Sequence, residues 1–469
     1  MFCRVELRPV ADKETIVIMP PTVTSQNRDL DLKHLWHGNL QHRGLELRPP
    51  LEMASADGCY VIDSEGRRYL DGMAGLFCVN VGYGRREIVD AVAAQMSQLA
   101  YYPLTQSHGP AAQLAGRLAE LLPPGLDRVF FTNSGSEAVE TALKMARQCA
   151  RQMHPGENRY KIVARHRGYH GFTMGALSAS GQSARRAAFE PLVPGFLHVP
   201  PPDPYRCSFC CSQPECSLAC ADEIDRVIRM EGPETVAAVI VEPVIGGGGV
   251  FPAPDGYLER LRAICDRYGV LLILDEVITG FGRTGKLFGF EHGGIRADIL
   301  TFAKGLTSAY LPLGATVASE QVFSAFEGDT ESVKFTQVST FGGHPSSCAA
   351  GFANLEILTR ERLWENSASV GAYLLDQLRG NRCPWIAEVR GCGLLIGMEL
   401  VSDENKTPLS EARMVQLLRE FREAGLIIGR NVESAPGYGN VLILSPPLIL
   451  SHEQADTIVA TVTRVLGLL

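Results

Sequence analysis

Hydrophobic residues recur along this chain at two spacings, and the change from one to the other marks its organisation. Residues 1–35 are polar and interrupted by prolines, which predicts an arm lying on another surface. Around Gly58 to Tyr69, GCYVIDSEGRRYLD alternates apolar and polar positions about a Ser-Glu-Gly turn, the pattern of a hairpin. Ile88 to Leu99 and Ala111 to Leu122 carry helical spacing, the second stopping at Pro123-Pro124. Next comes a repeated unit of strand, glycine turn and helix: RVFFTNSGSEAVETALKMA, KIVARHRGYHGFT, VAAVIVEPVIGGGG, VLLILDEVITGFG and DILTFAKGL. Short β-branched runs without alternation predict strands buried on both faces of a mostly parallel sheet. Right-handed crossovers make such a sheet doubly wound, so the fold class is α/β. Towards the C-terminus, amphipathic helices (Ala350 to Thr359, Ser369 to Leu378, Ser410 to Glu423) mix with the short strands GLLIGMEL and NVLILS. The expected organisation is an arm and part of a small domain at 1–70, a large domain at 71–338, and a small α+β domain at 339–469.

Composition narrows the class. The 469 residues include 47 glycines, above the ~7% of average usage, which excludes a coiled coil or helical bundle. The net charge is −8, with no basic run, so nucleic acid and anionic membranes are not expected partners. No apolar stretch approaches the ~20 residues that span a bilayer; VLLIL at 270–274 is strand-sized. The N-terminal MFCRVELRPVADKE has no apolar core of a signal peptide. Thirteen unevenly spread cysteines suit a reducing compartment, and a cytoplasmic location is expected.

Two segments carry the most specific chemistry. LLILDEV ends a buried strand on Asp275, and ILTFAKGL presents Lys304 after the next strand, 29 residues later. Both then face one crevice at the carboxyl edge of the sheet. A lysine half-buried there has a lowered pKa and becomes a nucleophile toward carbonyls. An aspartate in the same crevice suits a pyridinium nitrogen. The plainer alternative makes Asp275 a turn cap and Lys304 a snorkelling side chain. Ser134-Gly135-Ser136 opens a helix after another buried strand, a place where free N–H groups hold phosphate. The glycines at 246–249 lack the Lys-Ser/Thr of a P-loop, and no strand-borne G-x-G-x-x-G opens a helix.

Taken in order, NSGSEAVETALK, YHGFTMGALSASG, VIVEPVIGGGGV, LLILDEVITGFGRTGKLFGFEH, DILTFAKGLTSAYLPLGA, STFGGHP and VLILSPPLI resemble the class III aminotransferases. These enzymes use pyridoxal 5′-phosphate (PLP) on the fold-type I scaffold. The resemblance runs from about residue 35 to the C-terminus. It is nearest to the ω-amine:pyruvate branch, through HLWH, CVNVGYG and AKGLTS. It implies that Lys304 binds the cofactor covalently and shuttles a proton, while Asp275 pairs with the pyridine nitrogen. It further implies that Gly135 and Ser136 hold the phosphate, that Tyr169 stacks on the ring and that Val277 packs its other face. Glu242 belongs to the hydrogen-bond network near the cofactor. Thr340 reaches the phosphate of a neighbouring subunit, which makes the active unit a homodimer sharing its sites. The implied reaction is ping-pong transfer of an amino group from a primary amine or ω-amino acid to pyruvate or a similar oxo acid. A PLP-dependent aminomutase or racemase is the alternative, and a non-catalytic cofactor-binding protein a second.

On the substrate side, Phe77 stands where many relatives have tryptophan, and Ala309 where glycine is common. Arg430 lies where several relatives place a mobile arginine for a substrate carboxylate; a surface arginine before a loop is the plainer reading. Separately, the insertion at 204–222 holds five cysteines in PYRCSFCCSQPECSLACAD. Cys207, Cys210, Cys216 and Cys220 have spacing able to converge on a [4Fe–4S] cluster, the favoured reading, or on zinc. Unligated thiols and disulfides are the alternatives.

Overall fold

The computed structural model describes residues 8–10, 13–15, 25–47, 49–210 and 216–467. The chain divides into two compact units, one of residues 1–56 and 61–68, the other of residues 57–60 and 69–469. In the first unit the stretch expected as an arm contains a helix, Ser25–His34, with Lys33 and His34 in its last turn, where cations suit the helix dipole. The expected Ser-Glu-Gly turn is present: Asp63 Oδ1 accepts the N–H groups of Glu65 and Arg67 at 3.0 and 2.9 Å, and Gly66 takes φ 80°.

The second unit is built on seven strands: β1 (Leu126–Thr132), β2 (Lys161–Arg165), β3 (Phe196–Val199), β4 (Val236–Val241), β5 (Leu271–Asp275), β6 (Ile299–Phe302) and β7 (Gly314–Ser319). Their order is β1-β7-β6-β5-β4-β2-β3. Only β7 runs antiparallel to its neighbours. The lack of apolar alternation has the expected cause. Every residue of β4 and β5 is buried; Leu272 and Leu274 enter one core, Leu271 and Ile273 the other. Helix α1 (Gly135–Met153) follows β1, and Ser134 caps it by accepting the Glu137 N–H at 3.2 Å. Ala138, Ala142, Ala146 and Ala150 recur every fourth residue along its buried stripe, small enough to let it lie close on the sheet.

Beyond β7 the pattern changes as expected. Helices Pro345–Arg360 and Leu363–Arg379 extend the first two predicted segments, and Glu411–Glu423 fills the third behind its Ser410 cap. The two predicted strands appear as Leu395–Leu400 and Val441–Leu444, paired within a four-stranded antiparallel sheet. Among the described residues no helix is long and apolar enough to cross a membrane.

The cysteine-rich insertion departs from expectation. Among the described residues no group of side chains is arranged as a metal centre, so the structure does not support one at Cys207, Cys210, Cys216 and Cys220. Cys220 falls in the first turn of helix Ala219–Glu231 and is 2% exposed, packed in the apolar core, where burial pushes its thiol up to about 11. A metal ligand must instead be a thiolate. Cys207 Sγ accepts the Cys210 N–H at 3.3 Å, Cys210 Sγ lies 3.1 Å from Ser217 Oγ, and Cys216 is exposed. Cys211 lies outside the described residues.

Candidate active site

Strands β5 and β6 are adjacent and parallel, with Asp275 in register with Thr301. Asp275 ends β5 and is 3% exposed. Three donors converge on it: the Val277 N–H at 3.0 Å and Thr301 Oγ1 at 3.1 Å on Oδ1, and His170 Nδ1 at 2.7 Å on Oδ2. Because a carboxylate only accepts, His170 carries its proton on Nδ1. The His170 backbone donates to Ser180 Oγ at 2.8 Å, which fixes the imidazole from behind.

Lys304 follows β6 at φ 45°, a left-handed conformation uncommon for lysine. Burial lowers its pKa, opposed by the fields of Cys78, Asp275 and Glu242. Its Nζ lies 5.9 Å from the centre of the Phe77 ring. Phe77 belongs to a strained wall in which Ala74, Gly75 and Phe77 all take positive φ. Asp71 holds that wall, accepting the Met73 N–H at 2.9 Å, the Gly75 N–H at 2.7 Å and the Tyr83 hydroxyl at 2.7 Å. Burial and Asp71 push the Tyr83 phenol upward.

The start of α1 meets the same crevice. A Cβ on Gly135 would lie 2.8 Å from Val277 Cγ1 and 3.6 Å from Ala303 Cβ, so only glycine fits there. Ser136 Oγ accepts the Phe172 N–H at 3.0 Å, joining the helix start to the GYHGF segment. Glu242 is 2% exposed and bridges two loops: Oε1 accepts the Tyr169 N–H at 3.0 Å and Oε2 the Gly246 N–H at 2.9 Å. Burial raises its pKa.

Gly135, Ser136, Tyr169, Glu242, Asp275, Val277, Lys304 and Phe77 are thus joined by direct contacts or short-range fields. Thr340 and Arg430 stand apart from these contacts. Thr340 is exposed, its carbonyl accepting the Tyr101 hydroxyl at 2.7 Å. Arg430 grips Glu411 with both terminal nitrogens, each at 2.5 Å. Sequence reasoning assigned no role to His170, Thr301 or Asp71. His170 lay inside a segment already singled out, and its place next to Tyr169 was the available signal.

The family model for "Aminotransferase class-III" matches residues 45–466. An uncharacterised aminotransferase of Bacillus subtilis is 49% identical over 93% of this chain and 96% of its own. A taurine–pyruvate aminotransferase of Bilophila wadsworthia is 41% identical over 93% and 95%. An (S)-enantioselective ω-transaminase of Thermomicrobium roseum superimposes with a TM-score of 0.88 at 40% identity, covering 94% of this chain and 98% of the other. With the family model spanning nine-tenths of its length, the chain belongs to the class III aminotransferases, enzymes of the PLP fold-type I scaffold.

Proposed function

We propose that this aminotransferase works by ping-pong transfer, taking an amino group from a primary amine or ω-amino acid and passing it to pyruvate or a similar oxo acid. The observation that carries the reading is Lys304, half-buried and within the fields of Asp275 and Glu242. The residues present fit PLP: a half-buried amine, a buried carboxylate, and a helix start kept open by Gly135 against Val277. When bound, PLP supplies an aldehyde carbon that takes up amine nitrogen and a ring that withdraws electrons. This chain supplies the rest. Burial favours the neutral amine of Lys304, which can then accept a proton from the substrate carbon and return it. Asp275, oriented by His170, Thr301 and the Val277 N–H, is placed to hold a proton on a pyridine nitrogen. Gly135 and Ser136 offer helix-start N–H groups to a phosphate. Tyr169 and Val277 are the faces between which the ring would lie, and Glu242 steadies the loop carrying Tyr169. Exposed Thr340 is suited to completing a partner's phosphate site, so we infer a homodimer with shared sites, acting in the cytoplasm, with domain limits near 70 and 338.

The test uses purified, PLP-loaded enzyme and a donor panel of β-alanine, taurine, putrescine and 1-phenylethylamine. Visible absorption of the bound cofactor should fall on adding a productive donor and return with pyruvate, with alanine formed stoichiometrically. Isomerised amine without ketone or aldehyde release would overturn the reading in favour of a mutase or racemase.

A further inference from the structure

Beside the GYHGF segment a half-buried arginine has no acidic partner among the described residues. Arg185 sits on the short helix Ser183–Arg186, its guanidinium carbon 5.1 Å from the ring centre of Tyr169 and 5.4 Å from that of Phe172. The two rings meet edge to face at 5.6 Å, forming a corner into which the guanidinium fits. Its Nε donates to Gln182 Oε1 at 2.7 Å. Gln182 is itself buried and donates to the Arg167 carbonyl at 3.0 Å, so the tether is rigid. With Nε committed, the two terminal nitrogens have no acceptor among the described residues. The adjacent Arg186 differs, pairing with Glu190 at 3.3 Å.

A cation drawn out of water without a counter-ion is disfavoured, and an arriving anion relieves the cost. Burial lowers the Arg185 pKa while Tyr169 opposes the shift. The hydroxyl of Tyr169 in turn lies in the fields of Arg185, Asp275 and Glu242. Arg185 therefore packs on the Tyr169 ring, whose own backbone N–H is tied to Glu242 at 3.0 Å. Arg430, the cation expected to meet an acid group, has its fork already filled by Glu411.

We propose that Arg185 binds the carboxylate or sulfonate of the substrate, both of an ω-amino acid donor and of an oxo-acid acceptor. This rests on the transaminase reading above and names its substrate class: amines carrying a distal acid. The aromatic corner fixes the plane of the guanidinium, and its two free terminal N–H groups meet two acid oxygens side by side.

The decisive variants are Arg185→Met, which keeps the stem against the rings, Arg185→Lys, and Arg430→Ala for comparison. The first measurement is the ratio of kcat/KM for β-alanine or taurine to that for 1-phenylethylamine. The second is calorimetric binding of ethanesulfonate, which carries no amine to react. In Arg185→Met the ratio should fall by about tenfold to a hundredfold, with ethanesulfonate affinity falling in parallel. Arg185→Lys should recover part of both. Equal losses on acid-bearing and uncharged donors would overturn the proposal. So would a ratio that collapses in Arg430→Ala and survives in Arg185→Met. A wild-type enzyme inert to every amine would instead refute the transaminase reading, and the ethanesulfonate titration would still decide Arg185.

Discussion

Replacing Gly135 by alanine inserts a methyl group between the start of α1 and the residues that follow β5. That carbon would lie 2.8 Å from Val277 Cγ1 and 3.2 Å from Cγ2. Apolar carbons rest at ~3.5–4.0 Å, so the nearest contact falls short by about 1 Å. Val277 cannot turn aside easily, because a β-branched side chain has few χ1 choices. Its backbone is held as well, by the N–H it gives Asp275 at 3.0 Å. Overpacking of this kind costs about 1–3 kcal/mol, against which alanine regains up to ~1 kcal/mol of helix propensity. The net loss should be about 0–2 kcal/mol, too small to interpret alone. A double-mutant cycle isolates the steric part. Val277→Ala removes both offending methyls, so adding it to Gly135→Ala should recover at least about 1 kcal/mol relative to the sum of the single changes. Urea unfolding of the four cofactor-free proteins measures this, and PLP titration should show weaker binding in Gly135→Ala than in the unmodified enzyme. An additive cycle, or undiminished PLP affinity in Gly135→Ala, would refute the close approach.

Three further outcomes follow from the same contacts. Asp275→Asn can keep the Val277 and Thr301 hydrogen bonds but removes the negative charge; kcat/KM should fall about tenfold to a thousandfold with the fold intact by circular dichroism. Asp71→Ala strands three donors, so thermal unfolding should show a loss of about 2–4 kcal/mol and KM should rise as the Phe77 wall loosens; an unshifted KM would sever that wall from the substrate. His198 donates from Nε2 to the Ala179 carbonyl at 3.1 Å, and burial with Arg186 and His166 lowers its pKa from 6.5 to about 4. The unfolded chain therefore binds the extra proton first, and up to about 3 kcal/mol of stability is lost as pH falls from 6.5 toward 4. His198→Gln should flatten that part of the urea-measured stability curve, and an unaltered slope would show that His198 does not drive it.

How much of this was legible in the sequence depends on what kind of contact each residue makes. Asp275 and Lys304 were readable because one ends a strand and the other follows the next, and neighbouring parallel strands deliver their carboxyl ends to one edge. His170 and Thr301 act only through a partner brought in by the fold, Asp275 lying 105 residues from His170, whereas Asp71 takes its donors from Met73, Gly75 and Tyr83 close by in a backbone turn that no periodicity announces. Arg430 shows the converse limit. Its position was legible, but the ion pair with Glu411 spans 19 residues and two elements, and nothing in the local pattern announces it. The cysteine spacing is a related case, in which nothing among the described residues supports a metal centre. Spacing shows which thiols are able to converge, whereas the first turn of helix Ala219–Glu231 directs Cys220 into the core.

The dipeptide Asp275-Glu276 shows how one strand end serves two purposes. Successive residues of a strand point to opposite faces, so two adjacent carboxylates meet different surroundings although both are buried. Asp275 faces the crevice and takes donors from His170, Val277 and Thr301. Glu276 turns the other way and gathers the Thr279 hydroxyl at 2.5 Å with the Gly289 and Phe290 N–H groups at 2.9 and 2.7 Å. It thereby closes the GFGRTGKLFGF loop onto the end of β5. Burial still pushes its carboxyl up to about 7, against all three donors. Glu276 thus binds a proton more readily folded than unfolded, and its contribution to stability diminishes as pH rises from the ordinary 4.5 toward 7.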